Sequence, residues 1–156
     1  MVVALDAARG GGGAVGFSAR VTSVTMAATV SPSQPVQDAI GALDGGEDTV
    51  DLDDTKFEES DWPLFAKAVQ RSKTVVFVYL NGTSMGDVGA MEMATAFKNN
   101  TSVVCFMARG NGIGDTGARA FADAFKSNTT LERCYLGDNR IGDTGARALA
   151  DAFKSN

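Results

Sequence analysis

The word GDTGARAFADAFKSN at residues 114–128 returns as GDTGARALADAFKSN at residues 142–156, with Leu149 in the place of Phe121. A looser copy, GDVGAMEMATAFKNN, occupies residues 86–100, so each copy begins 28 residues after the one before. A fixed period of about 20–29 residues is the signature of a solenoid, in which each unit touches only its neighbours. Length alone, here 156 residues, therefore says little about the number of domains.

The register extends backwards. Aligning Leu131, Val103 and Val75 places a degenerate first copy at Glu47. Each copy opens with a short extended run, at residues 50–52, 77–80, 105–108 and 133–136, whose alternation and β-branched or aromatic residues predict a strand. Turns fall at Thr55, Thr83, Asn111 and Asn139. A helix follows each turn. Its apolar positions are Trp62, Phe65, Ala66 and Val69; Ala90, Met93, Ala94 and Phe97; Ala118, Phe121, Ala122 and Phe125; and Ala146, Leu149, Ala150 and Phe153. All follow i, i+3, i+4, i+7, one buried face, with Arg119, Asp123, Arg147 and Asp151 on the opposite, solvated one. Pro63 falls in a first turn, where proline is tolerated.

Residues 1–32 carry no echo of the period and hold four consecutive glycines at 10–13, which predicts a disordered tail. The alternative is an organelle transit peptide, with Arg9 and Arg20 against the single acid Asp6. The run Val2, Val3, Ala4, Leu5 is too short for a secretory core. Residues 33–46 predict one helix: Ser33 as N-cap, Pro35 in the first turn, Val36, Ile40 and Leu43 on one stripe, and Gly45 and Gly46 as the stop. This helix is expected to cap a first repeat at residues 47–74, followed by 75–102, 103–130 and 131–156, the last truncated.

The fourth copy reads LERCYLGDN at residues 131–139, which resembles the leucine-rich-repeat pattern L-x-x-L-x-L-x-x-N with Cys134 in the second leucine place. The continuation from Ile141 through Ala150 resembles the ribonuclease-inhibitor-like subtype, which also builds the arrays of NOD-like receptors and Ran GTPase-activating proteins. The resemblance implies an α/β fold: a short horseshoe with a parallel concave sheet and helices on the convex side. Asn111 and Asn139 are then expected to satisfy backbone groups at the turn, Gly117 and Gly145 to let helix approach strand, and Asp87, Asp115 and Asp143 to act as N-caps. Thr55 and Thr83 depart from the asparagine, Ala108 from the third leucine, and Glu58 and Asp61 from the glycines.

Composition and motifs exclude several functions. Nineteen acidic residues against 14 basic ones, net charge −5, disfavour nucleic acid as a partner. There is no histidine, the commonest general base and metal ligand. Two cysteines make neither a disulfide framework nor a zinc site, which points to a reducing, cytoplasmic setting. No apolar run approaches the roughly 18 residues of a membrane span. Gly112-Ile113-Gly114-Asp115-Thr116-Gly117 is a literal G-x-G-x-x-G, but Gly114 and Gly117 recur with the repeat and no acid follows a second strand at the dinucleotide distance. Asp51, Asp53, Asp54, Glu58 and Glu59 miss calcium-loop spacing, since Lys56 falls on the glycine place and Trp62 on the twelfth. Asn81, Asn100 and Asn128 begin glycosylation sequons without a secretory signal.

What remains is the outer face of the sheet. Val78, Leu80, Phe106, Ala108, Cys134 and Leu136 are expected inside, so alternation puts Asp51, Asp53, Phe77, Tyr79, Asn81, Cys105, Met107, Arg109, Arg133, Tyr135 and Gly137 on the concave side. Aromatic, Met and Arg residues are enriched at interfaces, so the expected function is binding of an unidentified protein on this face, without catalysis, cofactor, metal or membrane. The rival readings are a GTPase activator and a fragment of a longer, immune-receptor-like array. Cys105 and Cys134 fall on opposite faces, which forbids a disulfide and predicts faster alkylation of Cys105. With no proline or lysine at residues 131–136, the last strand is expected to be a free edge through which the chain self-associates.

Overall fold

The computed structural model describes residues 2–4 and 34–155. Strands and helices alternate: β1 (Val2–Ala4), α1 (Gln34–Asp44), β2 (Thr49–Asp51), α2 (Asp61–Arg71), β3 (Phe77–Tyr79), α3 (Gly86–Asn99), β4 (Cys105–Met107), α4 (Asp115–Phe125), β5 (Arg133–Tyr135) and α5 (Asp143–Ser155). The five strands form one parallel sheet in the order β1-β5-β4-β3-β2. The helices stack beside one another on one side, α1 on α2 through to α4 on α5. No helix among the described residues is long and apolar enough to cross a membrane.

The core lies between the two layers and is built in columns. Val50, Val78, Phe106 and Cys134 pair in register across the sheet, and all are buried. Phe65, Met93, Phe121 and Leu149, one from each of α2 to α5, are wholly buried behind them. Rings run from repeat to repeat: Phe97 to Phe106 at 4.7 Å, Phe106 to Phe121 at 5.5 Å, Phe121 to Phe125 at 5.7 Å and Phe125 to Phe153 at 5.9 Å. Burying each such side chain stabilises by about 1.5–3 kcal/mol. At the first helix Val36, Ala39 and Leu43 are buried, and the Asp44 carboxylate accepts a forked pair of bonds from Arg71 at 2.6 and 2.7 Å. Gly46, at φ 91°, ends the helix, as Glu47 N–H donates back to Ala42 O.

Asparagines stitch the repeats together. Asn111 Oδ1 accepts from Met85 N–H of the preceding repeat, and its Nδ2 donates to Leu80 O at 2.6 Å. Asn139 does the same for Asn111 N–H, Ile113 N–H and Ala108 O. Thr83 is tolerated in the asparagine place because its hydroxyl reaches Asn111 Oδ1 at 2.8 Å. A second ladder closes the helix ends: Asn100 Nδ2 donates to Val69 O, and Asn128 Nδ2 to Phe97 O. Both asparagines are buried with their amides committed, so these two sequons offer nothing to a glycosylating enzyme in the folded chain.

Several expectations change. The last strand has no free edge, because β1 pairs with it, Val2 opposite Arg133, Val3 opposite Cys134 and Ala4 opposite Tyr135. Apart from those three residues, the tail at 1–32, its transit-peptide alternative and the Ser33 cap lie outside the described residues. Asp87 and Asp115 do not cap their own helices. Asp87 Oδ1 accepts from Gly114 and Gly117 N–H, and Asp115 Oδ1 from Gly142 and Gly145 N–H, so each caps the helix of the next repeat. Gly117 and Gly145 make room for a neighbouring repeat rather than for a strand. A Cβ at Gly117 would meet Ala90 Cβ at 2.8 Å, and one at Gly145 would meet Ala118 Cβ at 2.8 Å. In α5 only Leu149 of the four expected core positions is fully buried. Ala146 and Phe153 are half-buried and Ala150 is exposed, since among the described residues no helix lies beyond α5.

Candidate functional site

The open side of the sheet is a small grid addressed by register. One row runs Thr49, Phe77, Cys105, Arg133 and the next Asp51, Tyr79, Met107, Tyr135. A third row, at the strand exits, follows from the 28-residue spacing: Asp53, Asn81, Arg109, Gly137. Every sequence-derived candidate falls on this grid. Thr49 was missed because the first strand begins one residue earlier than its apolar run. Its place opposite Phe77, two residues before Asp51, was the available signal.

The grid is unevenly occupied. Phe77 and Tyr79 stack at 6.3 Å with an interplanar angle of 18°. With Met107 and Tyr135 they form a half-buried apolar shelf, and Asp51 and Arg133 stand exposed on either side of it. Cys105 corrects the expectation of an accessible thiol: it is 2% exposed, because a short side chain is overtopped by its neighbours Phe77, Met107 and Arg133. Cys134 is wholly buried on the other face, and both thiols are free. Burial raises the pKa of Cys105, against the opposing pull of Arg133, and burial pushes that of Cys134 far above the ordinary thiol range. Tyr79 is also raised, first by burial and then by the charges of Cys105 and Asp51.

The third row is tied up in the fold. Asp53 Oδ2 accepts from Asn81 Nδ2 at 2.9 Å and its Oδ1 from Asn81 N–H at 2.8 Å, while Asn81 Oδ1 accepts from Arg109 N–H. The Arg109 side chain lies over Gly137 and reaches Asp138 at 4.0 Å. These bonds hold the repeats in line while Asp53 stays exposed and Asn81 and Arg109 half-buried, so the row forms a rim beside the shelf. The glycine motif is accounted for in the same way. Gly114 and Gly117 N–H, the donors a dinucleotide loop would aim at phosphate, are already held by Asp87.

One strand, an asparagine turn and one helix per 28 residues, stacked in parallel register, define a leucine-rich-repeat solenoid. The family described as "Leucine Rich repeat" matches residues 109–122 and 127–150. Among solved structures, one titled "Leiomodin-1 Actin-Binding Site 2 (ABS2)" superposes with a TM-score of 0.70 at 20% identity, over 83% of this chain and 76% of that one. The tropomodulin C-terminal domain of Caenorhabditis elegans superposes with a TM-score of 0.51 at 13% identity, over 77% of this chain and 92% of that one. No curated protein sequence matches. The chain carries leucine-rich repeats at those residues and folds as a leucine-rich-repeat solenoid, and its likeness to these two structures is a likeness of fold.

Proposed function

We propose that this array is a protein-binding module that takes its partner on the open face of the sheet, and that it binds rather than catalyses. The observation that carries the reading is the shelf of Phe77, Tyr79, Met107 and Tyr135, four large side chains half-exposed side by side, which no helix among the described residues covers. An apolar centre with a polar rim is the anatomy of an interface, and aromatic side chains supply most of the binding energy at such centres. Asp51 fits a lysine or arginine of the partner, whose stem would lie on the Tyr79 ring beside it. Actin is the first defined probe, because the leiomodin-1 structure of the same fold is titled an actin-binding site.

The test compares three proteins: the unaltered chain, a Tyr79→Ser, Tyr135→Ser double variant, and Arg119→Ala on the far side of the helices. Partners captured by cross-linking, and actin in co-sedimentation, should be retained by the first and third. The double variant should lose them at least tenfold. Equal capture by all three proteins would place binding elsewhere or nowhere.

A further inference from the structure

We propose that the outer edge of β5 is a strand-acceptor site, filled by the chain's own N-terminal strand where a further repeat would bring its own, and that this filling keeps the edge from pairing with a second copy. Three observations carry it. First, β1 joins β5 in parallel and in continuous register, as β5 joins β4 and β4 joins β3. The pairing is that of a repeat strand, although the residues come from the far end of the sequence. Second, the segment is worded like a repeat strand: Val3 and Leu5 have the spacing of Val78 and Leu80, and Val3 stands in the register column of Val78, Phe106 and Cys134.

Third, the two ends of the sheet are treated differently. The β2 edge is set among Asp48, Asp51, Asp53 and Asp54, whose carboxylates would repel a second copy of themselves. Like charge at an edge is a common guard against strand pairing. The β5 strand, Arg133-Cys134-Tyr135, has neither proline nor a run of charge, and among the described residues it is β1 that closes it. A β5 edge meeting its own copy would form a two-fold pair. The chain from Ala4 to Gln34 is long enough for β1 to close the edge of its own sheet, since four strand spacings of about 4.8 Å come to roughly 20 Å and a chain of that length has a contour several times longer. A tethered strand also competes at an effective concentration on the order of millimolar.

The register supplies the test, because Val3 stands opposite Cys134 in the strand pairing and Cys134 is a free thiol. In a Cys105→Ser background, V3C refolded from denaturant in a glutathione redox couple should form a disulfide that runs as a monomer on a non-reducing gel. V2C, opposite Arg133, should not, and Cys134→Ser should abolish the bond. The second arm is Val3→Pro in the full chain, with helix content checked by circular dichroism. Light scattering should show a dimer whose fraction grows with concentration, where the unaltered chain stays monomeric. A V3C bond formed between copies, or none at all, overturns the intramolecular filling. A Val3→Pro chain that stays monomeric at several hundred micromolar overturns the guarding role.

Discussion

The carboxylate of Asp115 shows how the residues of a repeat divide their labour. Its Oδ1 takes two N–H groups of the next helix at 2.8 and 2.9 Å, so one side chain both caps a helix and ties two repeats together. Asp115→Ala should therefore cost about 1–2 kcal/mol in denaturant unfolding. Asp143, the same residue one repeat later, caps no helix among the described residues, and Asp143→Ala should cost less than about 0.5 kcal/mol. Equal losses would mean that each aspartate caps its own helix after all. The sequence showed that these aspartates and glycines belong together, but not which copy each one serves. In a near-perfect repeat, a bond within a unit and a bond to the next unit join the same residue types. Cys105 was misjudged for another reason, since alternation gives the face of a strand and not the height of its neighbours. With both thiols buried and their ionisation disfavoured, alkylation of either should be slow in the native protein and should rise to the rate of free cysteine on unfolding. Fast modification of Cys105 in the folded chain would show that the shelf is not closed over it.

At the scale of the element, the helices were the most legible part of the chain. Every position that their i, i+3, i+4, i+7 pattern named in α2, α3 and α4 is buried, but a helix packed on both flanks and on the sheet buries more than one stripe, so Ala68, Ala96 and Ala124 were missed. In α5 the same pattern overstates burial, since among the described residues nothing covers Ala150 as α5 covers Ala122 in α4. Phe125 is wholly buried, between the ring of Phe121 in its own helix and that of Phe153 in α5. Phe125→Ala should cost about 3–5 kcal/mol, whereas Arg119→Ala, exposed on the outer face, should cost under about 0.5 kcal/mol. Similar shifts in melting temperature for the two would contradict the packing. Gly145→Ala belongs with the severe class. Its new methyl group would sit 2.7 Å from Asp115 Oδ1 and 2.8 Å from Ala118 Cβ, so α5 must move off α4, at about 1–3 kcal/mol.

The whole molecule behaves as a one-dimensional stack, in which stability is a sum of repeat and interface terms. The open face of the sheet was legible from the period and from alternation, but its closure at β5 was not. That closure joins residues 2–4 to 133–135, and no pattern of period 28 marks the first partner as part of the array. The interfaces are unequal. The α3–α4 junction is held by the Asn111 and Asn128 amides, the Asp87 cap and the Phe97–Phe106–Phe121 rings, all wholly or largely buried. The α4–α5 junction keeps the Asn139 amide and the Asp115 cap, but its Phe153 is half-exposed and its Ala150 exposed. Amide exchange in the native state should therefore fall into a gradient, with α3 and α4 opening last and α5 opening at a free energy below that of the middle repeats. The Asp115→Ala change separates a stack from a single cooperative unit. In a stack it speeds exchange in α5 by about tenfold or more and leaves α2 and α3 nearly unchanged, because the lost cap lies at one interface only. Uniform acceleration along the whole chain would show that the repeats open together.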